Sequence, residues 1–530
     1  MAPTTTEIHR DLKEANAAAD GASFESGRES LAPRNIPGHT SLPQVTVRVF
    51  ALLFLTLNFF FLLLSSGRVR TRDELNADLQ VESLATRGST SVSQAASFFF
   101  YGKFDRWGEP QPPYGPAHAA FLIPWYAAGR AFLAILPGIP DGAREVVIDN
   151  AVVASSATFA ALAVALAFLI FVRLGFSLGV SLAAASMLAL ATPILTYSTQ
   201  LYSEPLTAAL LLGAAAVLFA PDGKATSVSW KEGLLAGILL GTAIWVRPTH
   251  AIAGPVFLAG LLVGDDEKRR RAAKILAIVV AIFGVAYLAR NLYLFGDPFD
   301  FGYPAVSDGG KNMNSFDTPM ATGLYGFLLS PGKSVFLFAP PILLAIAGIR
   351  KLAHLDKGLA LVAAALPVVY LSFYAKFTQW EGGFCIGPRY LVPSLAVLCL
   401  GLGPALEGAG TWLRRAAVVL AFGGFGVQAI NIATSYFEDQ ANGNYYNAHY
   451  NYRMDYAPLV TMSRQLIHYL TSPVSAPLGR GFDRWFVFLS KAGISKATIA
   501  VLSAAELIGF VLSSLWLLKT LRANTKRASA

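Results

Sequence analysis

Apolar residues in this chain gather into unbroken runs, not into the three-and-four spacing of a helix with one wet face. The first extends from Val49 to Ser66. About 20 apolar residues in a helix cross the hydrocarbon layer of a bilayer, so the run predicts a membrane span. Comparable runs near 148–172, 177–193, 203–219, 233–246, 250–264, 275–290, 334–349, 358–374, 390–407, 416–434 and 497–518 bring the predicted number to 12. The first run is too long and too internal for a cleaved signal segment, and Arg48 stands on its near side. The expected fold class is all-α and polytopic.

The polar connections supply the orientation. Arg173, Lys224, Lys231, Lys268–Lys274, Arg350–Lys351, Arg414–Arg415 and the tail with Lys519, Arg522, Lys526 and Arg527 all fall on one side when the spans alternate. Basic connections collect in the cytoplasm, so both termini are expected there. Segments 67–147, 291–333 and 435–496 then face outward. Residues 117–136 would break the alternation if they crossed. Pro124 and Arg130 interrupt them, and Trp125 and Tyr126 suit the headgroup layer, which predicts a helix lying in the outer interface. Residues 1–44 are polar and mixed in charge, and are expected to be a disordered cytoplasmic tail. Gly233, Gly237 and Gly241 recur every four residues, so that helix is expected to approach a neighbour closely.

Composition agrees and narrows the field. Hydrophobic residues make up 54% and charged residues 14%, with mean hydropathy +0.50. Soluble domains carry about a quarter charged residues. The net charge of +9 is therefore read as membrane topology, and no nucleic-acid partner is expected. Cys385 and Cys399 are too few for a disulfide framework or a metal cluster.

On the outward side, scattered polar residues become candidates for one site. Asp73 and Glu74 follow the first span, and Glu204 begins another. Arg247 sits before Pro248 between two short apolar runs. Arg290 closes a span, Lys333 lies in SPGKS and Arg389 in IGPRY. Charge at a membrane boundary is costly and usually functional. Each residue also has a plainer reading. Glu204 before Pro205 suits a helix start, and the arginines could anchor helix ends. Lys333 is not in a nucleotide-binding loop, because Gly326 and Gly332 enclose five residues where that motif needs four. His118, His250 and His449 stand alone. The Tyr- and Asn-rich stretch Tyr436–Tyr456 could hold a sugar or sit among headgroups.

Taken in order, YGPAHAAFLIPWYAAG, EPLTAALL, WVRPT, RNLYLFGDPFDFGY, LYGFLLSPGKSVFLFAPP and WEGGFCIGPRYLVP resemble the bacterial branch of the GT-C glycosyltransferases. These are relatives of the protein O-mannosyltransferases and of the lipid A aminoarabinose transferase. The resemblance covers 45–435 as a catalytic transmembrane module. It leaves 436–496 as an external loop for acceptor or sugar, and 497–530 as a last span with a basic tail.

The resemblance implies transfer of a sugar from a polyprenyl-phosphate donor to a protein, lipid or polysaccharide acceptor on the non-cytoplasmic face of the cell (inner) membrane. It puts the catalytic base on Asp73, with Glu74 as rival, and the second acidic position on Glu204. Arg247, Arg290, Lys333 and Arg389 are the candidates for the donor phosphate. Tyr114, Tyr202, Trp380 and Tyr445 are candidates for sugar or acceptor contact. Direct displacement would invert the anomeric carbon. A divalent cation, Mg²⁺ or Mn²⁺, could join Asp73 to Glu204, although several relatives of the mannosyltransferase type need no metal. The rival readings are a lipid-linked-sugar flippase or transporter, and a non-catalytic envelope-assembly protein. Transporters tend to carry matching broken helices in both halves, and only one such pair stands out here, near 247.

Overall fold

The computed structural model describes residues 42–92, 102–135, 139–219, 228–264, 266–304, 315–383, 385–434, 448–471 and 484–529. The chain is a helical, polytopic membrane protein, and 78% of the described residues are in helix. Among the described residues the only strands are a two-residue pair, Lys103–Phe104 antiparallel to Pro110–Gln111. Thr46–Ala530 forms one compact unit.

Seven described helices are long and apolar enough to cross a membrane: Thr46–Leu64, Asp141–Arg173, Glu267–Phe295, Lys357–Lys376, Arg389–Leu406, Thr411–Ala433 and Lys496–Asn524. Leu178–Leu190, Glu204–Phe219, Pro248–Leu262 and Met320–Leu329 are apolar but shorter. Thirteen residues at about 1.5 Å each reach only about 20 Å, so Leu178–Leu190 stops short of the span predicted over 177–193. The span predicted over 334–349 is broken instead. Val335–Phe338 forms one turn, and a new helix starts at Ile342 after Pro340–Pro341. A second proline has no N–H to give and clashes with the preceding turn. Arg389–Leu406 is likewise a chain of short α and 3₁₀ turns. The described part of 117–136 lies in the helix Pro116–Ile135, which is not among the seven.

Small residues set the packing. Trp230–Val246 lies against Glu267–Phe295 along Gly233, Gly237 and Gly241. A methyl on Gly233 would come within 2.4 Å of the Ala272 carbonyl oxygen, and one on Gly241 within 2.3 Å of the Phe283 ring. The predicted close approach is therefore made, and the two backbones nearly touch. Elsewhere a methyl on Gly348 would meet the Gly401 carbonyl oxygen at 1.9 Å, which fixes Ile342–Leu355 against the broken 389–406 stretch.

An apolar core forms the floor of the site. Ala77 and Val81 from Arg72–Arg87 meet Ala119, Leu122 and Tyr126 from Pro116–Ile135. Val152, Val153 and Phe159 from Asp141–Arg173 complete it with Leu206, Leu210, Ala243 and Val246.

Candidate active site

The site is assembled by four local devices. The first is the start of Arg72–Arg87. Thr71 is its N-cap and accepts from the Glu74 N–H, while the Glu74 carboxylate takes the Thr71 N–H in return at 2.9 Å. This reciprocal capping leaves Asp73 at the second helical position, unused by the cap and one-quarter exposed.

The second device is the start of Glu204–Phe219, where Glu204 sits at the positive end of the helix. The third is a break. Arg247 precedes Pro248, which excludes the α conformation, and its backbone is extended (φ −153°, ψ 124°). The Trp230–Val246 helix stops there and the side chain turns inward. The fourth is the Gly387–Arg389 turn. Gly387 has φ +62°, and a methyl on it would press into Phe338 at 2.9 Å. Only glycine fits, and the turn delivers Arg389.

These devices bring two carboxylates and two guanidiniums together. Arg389 Nε donates to Glu204 at 2.8 Å, and its Nη1 donates to Asp73. Arg247 Nη1 stands 3.6 Å from the same Glu204 oxygen. The Tyr114 hydroxyl donates to the other Asp73 oxygen. Aromatic faces hold the cations: Arg389 lies 4.1 Å from the Tyr202 ring centre, and Arg247 lies between Tyr114 at 5.6 Å and Tyr390 at 5.4 Å. Arg389 and Glu204 are each 3% exposed. Asp73, Ala77, Tyr114, His118, Leu201, Tyr202, Ser203, Val246, Arg247 and Arg389 line the cavity beside them, which measures about 10 Å³, about one water in size.

Two polar atoms in this cluster have no hydrogen-bond partner among the described residues, Glu204 Oε2 and Arg247 Nε. Buried polar atoms are ordinarily satisfied, and of these two residues Arg247 lines the cavity, where its Nε lacks an acceptor.

Burial alone would raise the Asp73 pKa. The Arg389 charge, the Tyr114 and Arg389 hydrogen bonds, and Arg247 outweigh it and hold the carboxyl below its usual value. A carboxyl with a folded value below the unfolded one stabilises the fold above the unfolded pKa, near 3.9, and that contribution is lost as pH falls through the folded value. If Asp73 is the base, kcat/KM should stay flat on the acid side from about pH 7 down to about pH 5, which a pH–rate profile checks.

The other sequence candidates lie as follows. Glu74 is wholly buried and taken up locally. Its second oxygen accepts from the Leu201 N–H at 3.1 Å, tying Arg72–Arg87 to the loop before Glu204. Glu74→Gln should cost about 1–3 kcal/mol of stability, seen as earlier thermal unfolding, because buried N–H groups lose a charged acceptor.

Arg290 is near Tyr287 (5.8 Å) and bonds Asn291 at 3.4 Å. It makes none of the ion pairs above. Lys333 is fully buried, and its Nζ donates to the Cys385 carbonyl at 2.6 Å. Trp380 packs on Phe327 and Tyr452. Tyr445 lies outside the described residues. His118 and Tyr390 were not predicted as site residues. Tyr390 adjoins Arg389 in the same IGPRY segment, which was a usable signal. His118 lies in the quoted YGPAH segment but carries no metal or triad spacing.

A divalent cation joining Asp73 to Glu204 would have to replace the Arg389 guanidinium that already spans them. Among the described residues no three His, Cys, Asp or Glu side chains converge as ligands.

No family model and no curated protein matches the chain. Among solved structures it is similar to ArnT from Cupriavidus metallidurans bound to undecaprenyl phosphate, with 14% identity, TM-score 0.46, and coverage of 91% of this chain and 78% of that one. The same protein in the apo state gives 13%, 0.48, 90% and 77%. The oligosaccharyltransferase AglB from Archaeoglobus fulgidus, in complex with an inhibitory peptide and a dolichol-phosphate, gives 12%, 0.46, 74% and 56%.

Proposed function

We propose that this protein is a membrane glycosyltransferase. It moves a sugar from a polyprenyl-phosphate donor to an acceptor hydroxyl on the non-cytoplasmic side, with inversion, and Asp73 is the general base. The observation that carries this reading is the pair of aromatic-held guanidiniums, Arg247 and Arg389, beside a carboxylate at the cavity mouth.

The chemistry follows from those groups. A departing phosphate gains charge, and fixed, desolvated donors stabilise it without reorganising. Arginine suits phosphate because its donors are forked and permanently charged. Attack by a hydroxyl requires a carboxylate at hydrogen-bond reach to take its proton, and Asp73 is the more exposed of the two paired carboxylates. Glu204 holds both cations in register. Tyr114 and Tyr202 border the same space. Lys333 steadies the loop that ends in Arg389, with the Tyr197 hydroxyl gripping the next carbonyl, Ile386, at 2.7 Å.

Sidedness rests on charge. Trp230–Val246 begins beside Lys231 and ends at Arg247, and Glu267–Phe295 begins with Lys268–Arg271 and ends near Arg290. Basic helix starts favour the cytoplasm, which supports a site at the opposite surface.

The test uses the purified protein in nanodiscs with labelled undecaprenyl-phosphate sugars and candidate protein, lipid and polysaccharide acceptors. Expected is release of undecaprenyl phosphate with a product of inverted anomeric configuration. Movement of the labelled lipid between leaflets in proteoliposomes, without transfer, would overturn the reading in favour of a transporter.

A further inference from the structure

We infer that His118 reads a hydroxyl of the donor's sugar, so that it sets sugar specificity and does not bind the phosphate. The inference rests on the glycosyl-transfer reading above.

Its position is fixed from both sides. Gly115, three residues earlier, is pressed so tightly onto the end of Trp230–Val246 that a methyl there would lie 1.8 Å from the Trp245 carbonyl oxygen. The segment Tyr114–His118 is therefore held against the chain that delivers Arg247. Pro116 then starts the helix, and its first turn carries His118 to the cavity wall, in company with Asp73, Tyr114, Arg247 and Arg389.

His118 is 5% exposed, yet its Nε2 has no hydrogen-bond partner among the described residues. His250 shows what a structural histidine looks like in the same protein. It is equally buried, but one ring nitrogen meets the Tyr370 hydroxyl at 2.8 Å and the other meets Thr207 at 3.3 Å. His118 lines the cavity and keeps a buried nitrogen with no partner among the described residues.

The chemistry of that nitrogen narrows the partner. Burial first, then the charges of Arg247 and Arg389, push the His118 pKa down to about 3. The ring is therefore held neutral beside the two guanidiniums: its N–H could meet a phosphate or a hydroxyl, but its lone pair could meet only a hydroxyl. A neutral imidazole carries one N–H and one lone pair. A phosphate offers only acceptors, whereas a sugar hydroxyl both donates and accepts. A buried polar group built for such a hydroxyl also discriminates strongly against ligands that lack it.

The experiment measures affinity in nanodiscs for undecaprenyl phosphate and for its mannose, glucose, galactose and arabinose conjugates, with wild type, His118→Phe and His118→Gln. Wild type should bind at least one conjugate more tightly than the bare lipid phosphate. His118→Phe should lose about tenfold of that gain, as expected for a hydrogen bond, with bare-lipid affinity unchanged. His118→Gln, which keeps a donor and an acceptor, should recover part of it. If the Phe variant does not fold, His118→Leu is judged by the same ratio.

Equal weakening toward the bare lipid, or no change toward the conjugates, would overturn the inference, as would a wild type indifferent to every sugar. A wild type that binds neither lipid would instead sink the glycosyl-transfer reading on which it stands.

Discussion

Asp73→Asn is expected to lower sugar transfer about a thousandfold while leaving the protein folded and able to hold its lipid. General-base catalysis contributes between about 10² and 10⁴ in rate, and the substitution removes the base with almost no change in shape. The Asn amide can still meet the Tyr114 hydroxyl. Arg389 would lose one of its two anionic partners and become freer to meet a phosphate, so undecaprenyl-phosphate affinity should hold or rise. Paired turnover and binding measurements check both halves. A variant that transfers at the wild-type rate would remove Asp73 from the mechanism.

Arg389→Gln carries the largest combined effect, on both stability and donor binding. The guanidinium spans Asp73 and Glu204 and lies over Tyr202. Its removal leaves Glu204 buried with only Arg247 at 3.6 Å. Breaking a buried pair by deleting one member costs about 3–5 kcal/mol, less whatever solvent at the quarter-exposed Asp73 recovers. The variant should therefore unfold markedly earlier on heating and bind undecaprenyl phosphate at least tenfold more weakly. Adding Glu204→Gln should restore part of the stability, because the stranded charge is gone, but should not restore binding. Recovery of binding in the double variant would show that Arg389 serves the fold alone.

The parts of this architecture that could be read from the chain are those set by one-dimensional patterns. Apolar runs gave the all-helical, polytopic class, but neither the breaks inside 334–349 and 390–407 nor the short helix in 177–193. The parity of basic connections singled out 117–136, and a helix stands there at Pro116–Ile135. Gly233, Gly237 and Gly241 announced a close helix contact, made against Glu267–Phe295. Asp73, Glu204, Arg247 and Arg389 could be nominated because charge at a membrane boundary is rare, and these four do meet.

What stayed hidden depends on three-dimensional pairing. The choice between Asp73 and Glu74 turns on the cap of Arg72–Arg87. The Thr71-x-x-Glu74 spacing of a capping box was present in the sequence, and would have assigned Glu74 to structure. Lys333 and Arg290 look equivalent to Arg389 as outward cations, but only the coordinates place one on a backbone carbonyl and the other beside Tyr287. The breaks at Pro340–Pro341 and Cys399–Gly401 sit inside apolar runs whose hydropathy hides them. His118 differs from His250 only in what its ring nitrogens touch.

The arrangement also has a mechanical consequence that can be observed directly. Asp73, Glu204, Arg247 and Arg389 balance in charge, and the cavity beside them holds about 10 Å³, so on the proposed function an entering phosphate is expected to draw a guanidinium away from a carboxylate. A cryo-electron-microscopy structure with undecaprenyl phosphate in a nanodisc tests this. The expected result is a phosphate held between Arg247 and Arg389, with the Arg389–Asp73 contact opened and Asp73 facing the acceptor side. A phosphate bound elsewhere, with that ion pair still closed, would contradict the account at its centre.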